Sequence, residues 1–429
     1  MLTNTIMVFA LLCFFSTTSL ASFADKDAHR IPATVAVSES AIKVNYVQMA
    51  YAAYEDSLNS ALFLQQSIKQ LLDEPSNERL LAAQHAYKLA RIPYQQVEIM
   101  RWDTDITINA GLEKDGGPAS VDQWEGQVNA WPLDEQAIDF VKGDASAGII
   151  NIKSGPVITL GYLVSQNGIG GEANVTTGFH AIEFLLWGQD LNGTNAGAGD
   201  RNVNDFKRDA SGQCSAHNCD RRRDYLQVVT ELLVTDLQQM THEWSPTAVK
   251  HKGSLAYNFL ASKEGLRYML FAMKSMATDE LASARMYEGL DGLDPEQEHD
   301  CFSDLSHVAI YYNFQGIRNA FYGGYETTAG KYVSGASIGD YIEQQSPTIF
   351  KQFDDGFNEI EKNMRIVFAA GEQSNNPIRF DQIIGQPNNA IERSAAIKAV
   401  FQLIDLQLAF DNVEKLLSLQ SLIISGDGD

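Results

Sequence analysis

Apolar side chains return every three or four residues along nearly the whole chain, and that spacing is what constrains its fold most. From Ser38 to about Asp73 they fall at Ile42, Tyr46, Met49, Ala53, Leu58, Leu62, Ile68, Leu71 and Leu72. The last stretch, from Asn389 to about Ile423, repeats the pattern at Ile397, Val400, Leu403, Leu406, Leu408, Phe410, Val413, Leu416 and Leu417. Such spacing lines one face of an α-helix, whereas the alternating runs of strands are scarce. Helices without a sheet bury their stripes only against other helices. The expected fold class is therefore all-α, as two helical-bundle-like halves packed together.

Punctuation in the sequence supplies the expected boundaries. Pro75-Ser76 separates the first helix from a second that runs to about Arg101, with Pro93 inside it expected to kink or split it near Arg91. A short helix is expected from Asp134 to Val141, and another from Asn174 to Trp187, capped by Thr176 or Thr177 and stopped by Gly188. The Gly-, Asn- and Asp-rich stretch from Leu191 to Asp220 reads as a flexible surface loop. Later helices are expected over Asp220–Glu243, Leu255–Met286 and Ser303–Tyr322, the last with Ser303 as its cap. Ser337 is expected to cap a further helix, interrupted at Pro347 and continuing to Phe368.

The first 24 residues carry an apolar run from Ile6 to Phe15, a polar cluster, and small residues at Ala21 and Ala24. That layout fits a cleaved secretory signal, although no Lys or Arg precedes the apolar run. The run is too short for a permanent membrane span. The remainder exceeds what one hydrophobic core usually serves, so residues 25–215 and 216–429 are taken as N- and C-terminal helical halves. Net charge is −23, and none of it lies in the first 24 residues. Such a chain repels nucleic-acid phosphates and attracts cations.

Three cysteines remain beyond the signal. Cys214 and Cys219 lie close enough to close a small ring, although a pairing of Cys301 with either is also open. Cys-x4-Cys with only His217 between is a poor zinc signature.

Chemistry concentrates in Gly178-Phe179-His180-Ala181-Ile182-Glu183. His180 and Glu183 share a helical face, and a helical Glu/His pair can grip one metal ion. At this composition roughly half such a match is expected by chance, so spacing alone decides little. The following Phe184-Leu185-Leu186-Trp187 imply burial, and a buried polar pair needs partners. Two ligands are too few for a catalytic zinc. Further donors are sought in His299-Asp300-Cys301-Phe302-Ser303-Asp304-Leu305-Ser306-His307, chiefly Asp304 and His307. Tyr94, Glu98 and Arg101 form a polar stripe that could face the same cavity. No His-Glu-x-x-His occurs, which removes the usual zincin reading.

Several segments resemble the imelysin family: Ala90-Arg91-Ile92-Pro93-Tyr94 through Glu98, Trp124 through Asp134, Gly178 to Asp190, and Asp300 to Asp304. The Gly-x-His-x-x-Glu turn is that family's signature. The resemblance implies an all-helical fold of two halves with the signature near their junction. It also implies residence in the periplasm or at the outer membrane, and a link to iron uptake. Three functions are carried as expectations. The first is a metal-binding protein, holding iron or zinc as a divalent or ferric ion and meeting iron-uptake components. The second is a metallopeptidase in which His180 is a ligand and Glu183 a ligand or general base. A third is a recognition module using residues 191–220.

Overall fold

The computed structural model describes residues 35–100, 122–214 and 216–419. The first 24 residues and Arg101 lie outside these. The fold is all-α, and its helices begin and end where local chemistry requires.

Helix α1 (Glu39–Asp73) starts at Ser38, whose hydroxyl accepts the Ala41 N–H, and α2 (Asn77–Val97) starts the same way at Ser76. Three short helices follow: α3 (Asp122–Val128), α4 (Leu160–Gln166) and α5 (Gly178–Trp187). Then come α6 (Cys219–Glu243), α7 (Leu255–Ala261) and α8 (Gly265–Ser275), which runs on as a π-helix over Met276–Tyr287 into α9 (Glu288–Gly292). After α10 (Ser306–Tyr322), strands β1 (Gly324–Glu326) and β2 (Tyr332–Ser334) form an antiparallel hairpin with Tyr325 opposite Val333. The chain continues through α11 (Ile338–Gln345), α12 (Pro347–Gly371), α13 (Phe380–Gly385) and α14 (Ile391–Leu416).

Two groups of helices emerge from the packing. In the first, α1 packs on α2 and α6, and α5 sits against α2 and α6. In the second, α12 packs on α10 and α14, and the π-helix lies against α8, α10 and α14. Helix α6 thus packs with the first group, so that group runs beyond residue 215. Contacts between α2 and α10 join the two groups. Gly316 allows this approach, because a Cβ there would stand 2.7 Å from the Gln96 carbonyl oxygen.

Local expectations differ from the structure in several places. Helix α2 continues through Pro93 instead of splitting. Tertiary packing of its buried face (Tyr87, Ala90, Arg91, Tyr94, Val97) offsets the hydrogen bond that the ring removes. The expected helix over residues 134–141 is a single 3-10 turn, Glu135–Ala137. The hairpin is a sheet the sequence did not announce. It is anchored on α1, where Asp56 accepts from the Tyr325 hydroxyl (2.9 Å), the Thr328 N–H (2.7 Å) and the Thr328 hydroxyl (2.9 Å). Cys214 and Cys219 are joined by a disulfide, and Cys301 is a free thiol. Among the described residues no helix is long and apolar enough to cross a membrane.

Residues 191–220 are not simply a free surface loop. Arg201, Asp205 and Phe206 are buried. Arg201 reaches Asp139 at 3.1 Å and the Phe184 carbonyl at 3.1 Å. Arg222 of α6 grips the same Asp139 with two donors, at 2.6 and 2.8 Å. Burial raises the Asp139 pKa, but these two guanidiniums reverse the effect and hold it below the usual carboxylate range. Asp139→Ala would leave two guanidiniums facing each other in the interior, and breaking such a pair costs about 3–5 kcal/mol. Urea unfolding of that variant should show a loss of this size; an unchanged midpoint would refute the role given to Asp139.

Candidate functional site

Helix α5 is buried along its whole length, and it starts on a residue that has to be glycine. Gly178 has φ +79°, and a Cβ there would lie 2.4 Å from the Val128 carbonyl oxygen and 2.8 Å from that of Gln127. The chain therefore turns into α5 against the end of α3, which sets the direction in which His180 and Glu183 project.

Glu183 accepts four hydrogen bonds. Ser303 donates twice to Oε1, from its N–H (3.0 Å) and its hydroxyl (2.6 Å). The Tyr87 hydroxyl donates to Oε2 at 3.3 Å, and His180 Nδ1 lies 3.0 Å from the same oxygen. An acceptor so placed draws a His180 proton to Nδ1, and in the neutral ring Nε2 then carries the lone pair. That Nε2 is buried and has no hydrogen-bond partner. Ser303 is thus not the cap of α10, which starts at Ser306; its N–H and hydroxyl are used on Glu183. The hydroxyl of Ser306 accepts the Asp300 N–H instead.

Facing His180 is a second histidine. The rings of His180 and His299 meet edge to face, 4.7 Å apart at an interplanar angle of 82°. His299 Nδ1 lies 3.1 Å from Asp300, and its Nε2 also lacks a partner. Burial, reinforced by the charge of Arg285, keeps the pKa of His299 well below the ordinary histidine value, so it is a neutral imidazole. One ligand atom each of His180, Glu183 and Asp300 lies within 4.8 Å of the others, and all three residues are buried.

Asp300 is held by Arg91, with Nε to Oδ1 at 2.8 Å and Nη2 to Oδ2 at 3.1 Å. Burial pushes the Asp300 carboxyl up, but the guanidinium outweighs this and holds it far below the usual range. Arg91 also donates to Asn129. Asn129 in turn donates to Glu98 at 2.8 Å, and Arg285 from the π-helix donates to Glu98 at 2.8 and 3.1 Å. Glu98 therefore belongs to the junction, as a partner of Arg285. Arg101 lies outside the described residues.

Asp304 and His307 do not join His180. Oδ1 of Asp304 has no partner, and its carboxylate gathers instead with those of Asp190 and Asp381. His307 has Nε2 2.9 Å from Glu372 and Nδ1 3.1 Å from the Asp304 carbonyl. Both its nitrogens are occupied by the chain, so it offers no ligand atom. The reason is rotational: with α10 starting at Ser306, His307 turns toward α12. Of the segment searched for further donors, His299 and Asp300 lie beside His180, while Asp304 and His307 do not. Tyr87 and Arg91 extend the Tyr94–Glu98 spacing back along α2, a signal present in the sequence.

The imelysin family profile matches residues 50–407. The chain belongs to the imelysin family. Among curated proteins none matches its sequence. Among solved structures it is similar to a Parabacteroides distasonis ATCC 8503 protein described as an iron-regulated protein A precursor, with 18% identity and a TM-score of 0.56. The likeness covers 88% of this chain and 94% of that one, and it supports the all-α fold.

Two outcomes test this account. Gly178→Ala forces a Cβ against backbone at a positive φ, a strain of about 1–3 kcal/mol. Its urea midpoint should fall accordingly, and one equal to wild type would remove the steric reason for glycine here. Burial lowers the His307 pKa from 6.5 to about 4. Between those values the unfolded chain binds the extra proton, so stability drops as pH falls through that window, by about 1.4 kcal/mol per unit at most. His307→Gln should flatten this part of the stability–pH curve; an unaltered slope would show that another group carries it.

Proposed function

We propose that this imelysin-family chain is an exported cell-envelope protein that binds a metal ion at His180 and serves bacterial iron uptake. The observation that carries the reading is the buried, unpartnered Nε2 of His180. An unsatisfied buried acceptor costs about 1–3 kcal/mol, and a metal ion would satisfy it. Histidines that ligate metals commonly donate their other N–H to a carboxylate, which fixes the ring and its tautomer. The His180–Glu183 pair has that arrangement; His299 Nδ1 lies 3.1 Å from Asp300 but also 3.2 Å from Nη2 of Arg91. His180, with His299 facing it, would supply nitrogen, a donor type suited to iron or zinc. In this reading Glu183 is a positioning residue acting through His180. Export rests on residues 1–24 and would place the chain in the periplasm or at the outer membrane. The description of the Parabacteroides protein as iron-regulated supports the iron connection.

The metallopeptidase alternative is less well supported. It requires a metal position open to water and a general base aimed at that water. Here His180, Glu183, His299 and Asp300 are all buried, and Glu183 already accepts four hydrogen bonds.

Elemental analysis after desalting, and titration of iron, zinc and copper into stripped protein, test the proposal. His180→Ala should lose binding while its helical circular dichroism persists. Glu183→Gln should weaken binding by about 10–100-fold, the usual effect of losing such a carboxylate. Wild-type affinity in His180→Ala would overturn the reading.

A further inference from the structure

A second cluster of ligand-type side chains lies beside the first and shares no residue with it. Asp190 follows the end of α5, Asp304 precedes α10, and Asp381 belongs to α13. One carboxylate oxygen from each lies within 4.8 Å of the others. Asp304 and Asp381 are buried, and Asp190 is half-buried. Among the described residues Oδ1 of Asp304 and both oxygens of Asp381 have no hydrogen-bond partner. The backbone N–H groups of Asp381 and Gln382 lower the Asp381 pKa, but burial outweighs them. Asp190 uses Oδ1 to accept from the Asn192 N–H and side chain, both at 2.8 Å.

A fourth acid makes the arrangement harder to explain as packing. Glu298 is 1% exposed, its Oε2 is also unpartnered, and its strongest charged neighbours are Asp304 and Asp381. Burying one uncompensated carboxylate is costly, and burying several side by side adds repulsion. Arg379 is the cation felt by both Asp304 and Asp381, but its guanidinium is directed at His307 (3.1 Å) and Glu372 (3.7 Å).

We infer that Asp190, Asp304 and Asp381 bind a hard divalent cation of the calcium class, at a site separate from His180. The trio is all oxygen, the donor type such cations select over zinc or copper. Its ligands come from three loops or helix ends, which suits the irregular geometry calcium tolerates. The cation would satisfy the orphaned oxygens and offset the repulsion that otherwise acts on these groups. Burial, together with that repulsion, raises the Asp304 pKa to about 8, while burial together with Asp190 raises that of Asp381 to about 7. The competing arrangement is protons held by the carboxylates with no cation at all.

Thermal melts of the full chain, stripped with chelator and dialysed, decide between them. CaCl2, MnCl2 and MgCl2 are each titrated at constant ionic strength against wild type, His180→Ala and the double variant Asp304→Asn, Asp381→Asn. A saturable rise in Tm in wild type and in His180→Ala, absent from the double variant, is expected. The stripped double variant should also melt above stripped wild type, since amides remove the repulsion. No rise with any of the three cations beyond a sodium control, or an equal rise in the double variant, would overturn the inference. If the double variant does not fold, Asp190→Asn at the half-buried position serves instead, and a wild-type response there would overturn it. The inference does not rest on the His180 reading: loss of iron or zinc binding in His180→Ala with the calcium response intact separates the two.

Discussion

Arg91 is the charge around which the interior is arranged. A guanidinium cannot shed its proton at any ordinary pH, so burying one obliges the fold to surround it with acceptors. Asp300 and Asn129 meet that demand from segments far apart in the chain. Asn129 then passes to Glu98, and Glu98 to Arg285 on the π-helix. This series of buried polar groups crosses from α2 to the second helical group. Apolar contact between α2 and α10 alone would tolerate sliding, but paired charges with fixed geometry do not. The junction is consequently defined by polar complementarity as much as by the close approach at Gly316.

The same demand explains the state of the two histidines. Arg91 holds Asp300, and Asp300 sits against His299 Nδ1; Ser303 and Tyr87 hold Glu183, which sits against His180 Nδ1. In each pair one nitrogen is engaged and the other is left facing the interior. The two rings are thereby held in orientation by the chain's own hydrogen bonds and ion pairs.

Most of the helical layout was legible, because helical spacing and caps such as Ser76 and Ser337 are local properties. Gly188 stops α5 at φ +73°, a conformation that few residues besides glycine adopt, and Ser337 starts α11 by accepting the Asp340 N–H on its hydroxyl. What was not legible depended on tertiary partners. Pro93 sits inside a continuous helix because the packed face of α2 outweighs a local penalty. Ser303 resembled a helix cap in sequence, and only the fold shows its donors turned to Glu183. Asp304 and His307 had suitable spacing for a shared ligand set, but the start of α10 at Ser306 sends them in different directions. The His180–Glu183 pair itself was close to chance by spacing, and the family resemblance was what singled it out. Tyr87, Arg91 and His299 went unassigned because their roles exist only where the two helical groups meet.

The bonds from Ser303 to Glu183 close a separation of 120 residues, and Arg91 to Asp300 closes one of 209. The site is therefore a property of the complete chain rather than of a motif. A fragment ending after α6 would retain Gly178, His180 and Glu183 in order, yet it would have lost Ser303, His299 and Asp300. Closures of this kind repay their loop entropy only once distant segments meet. A partly assembled chain has the signature but not the site.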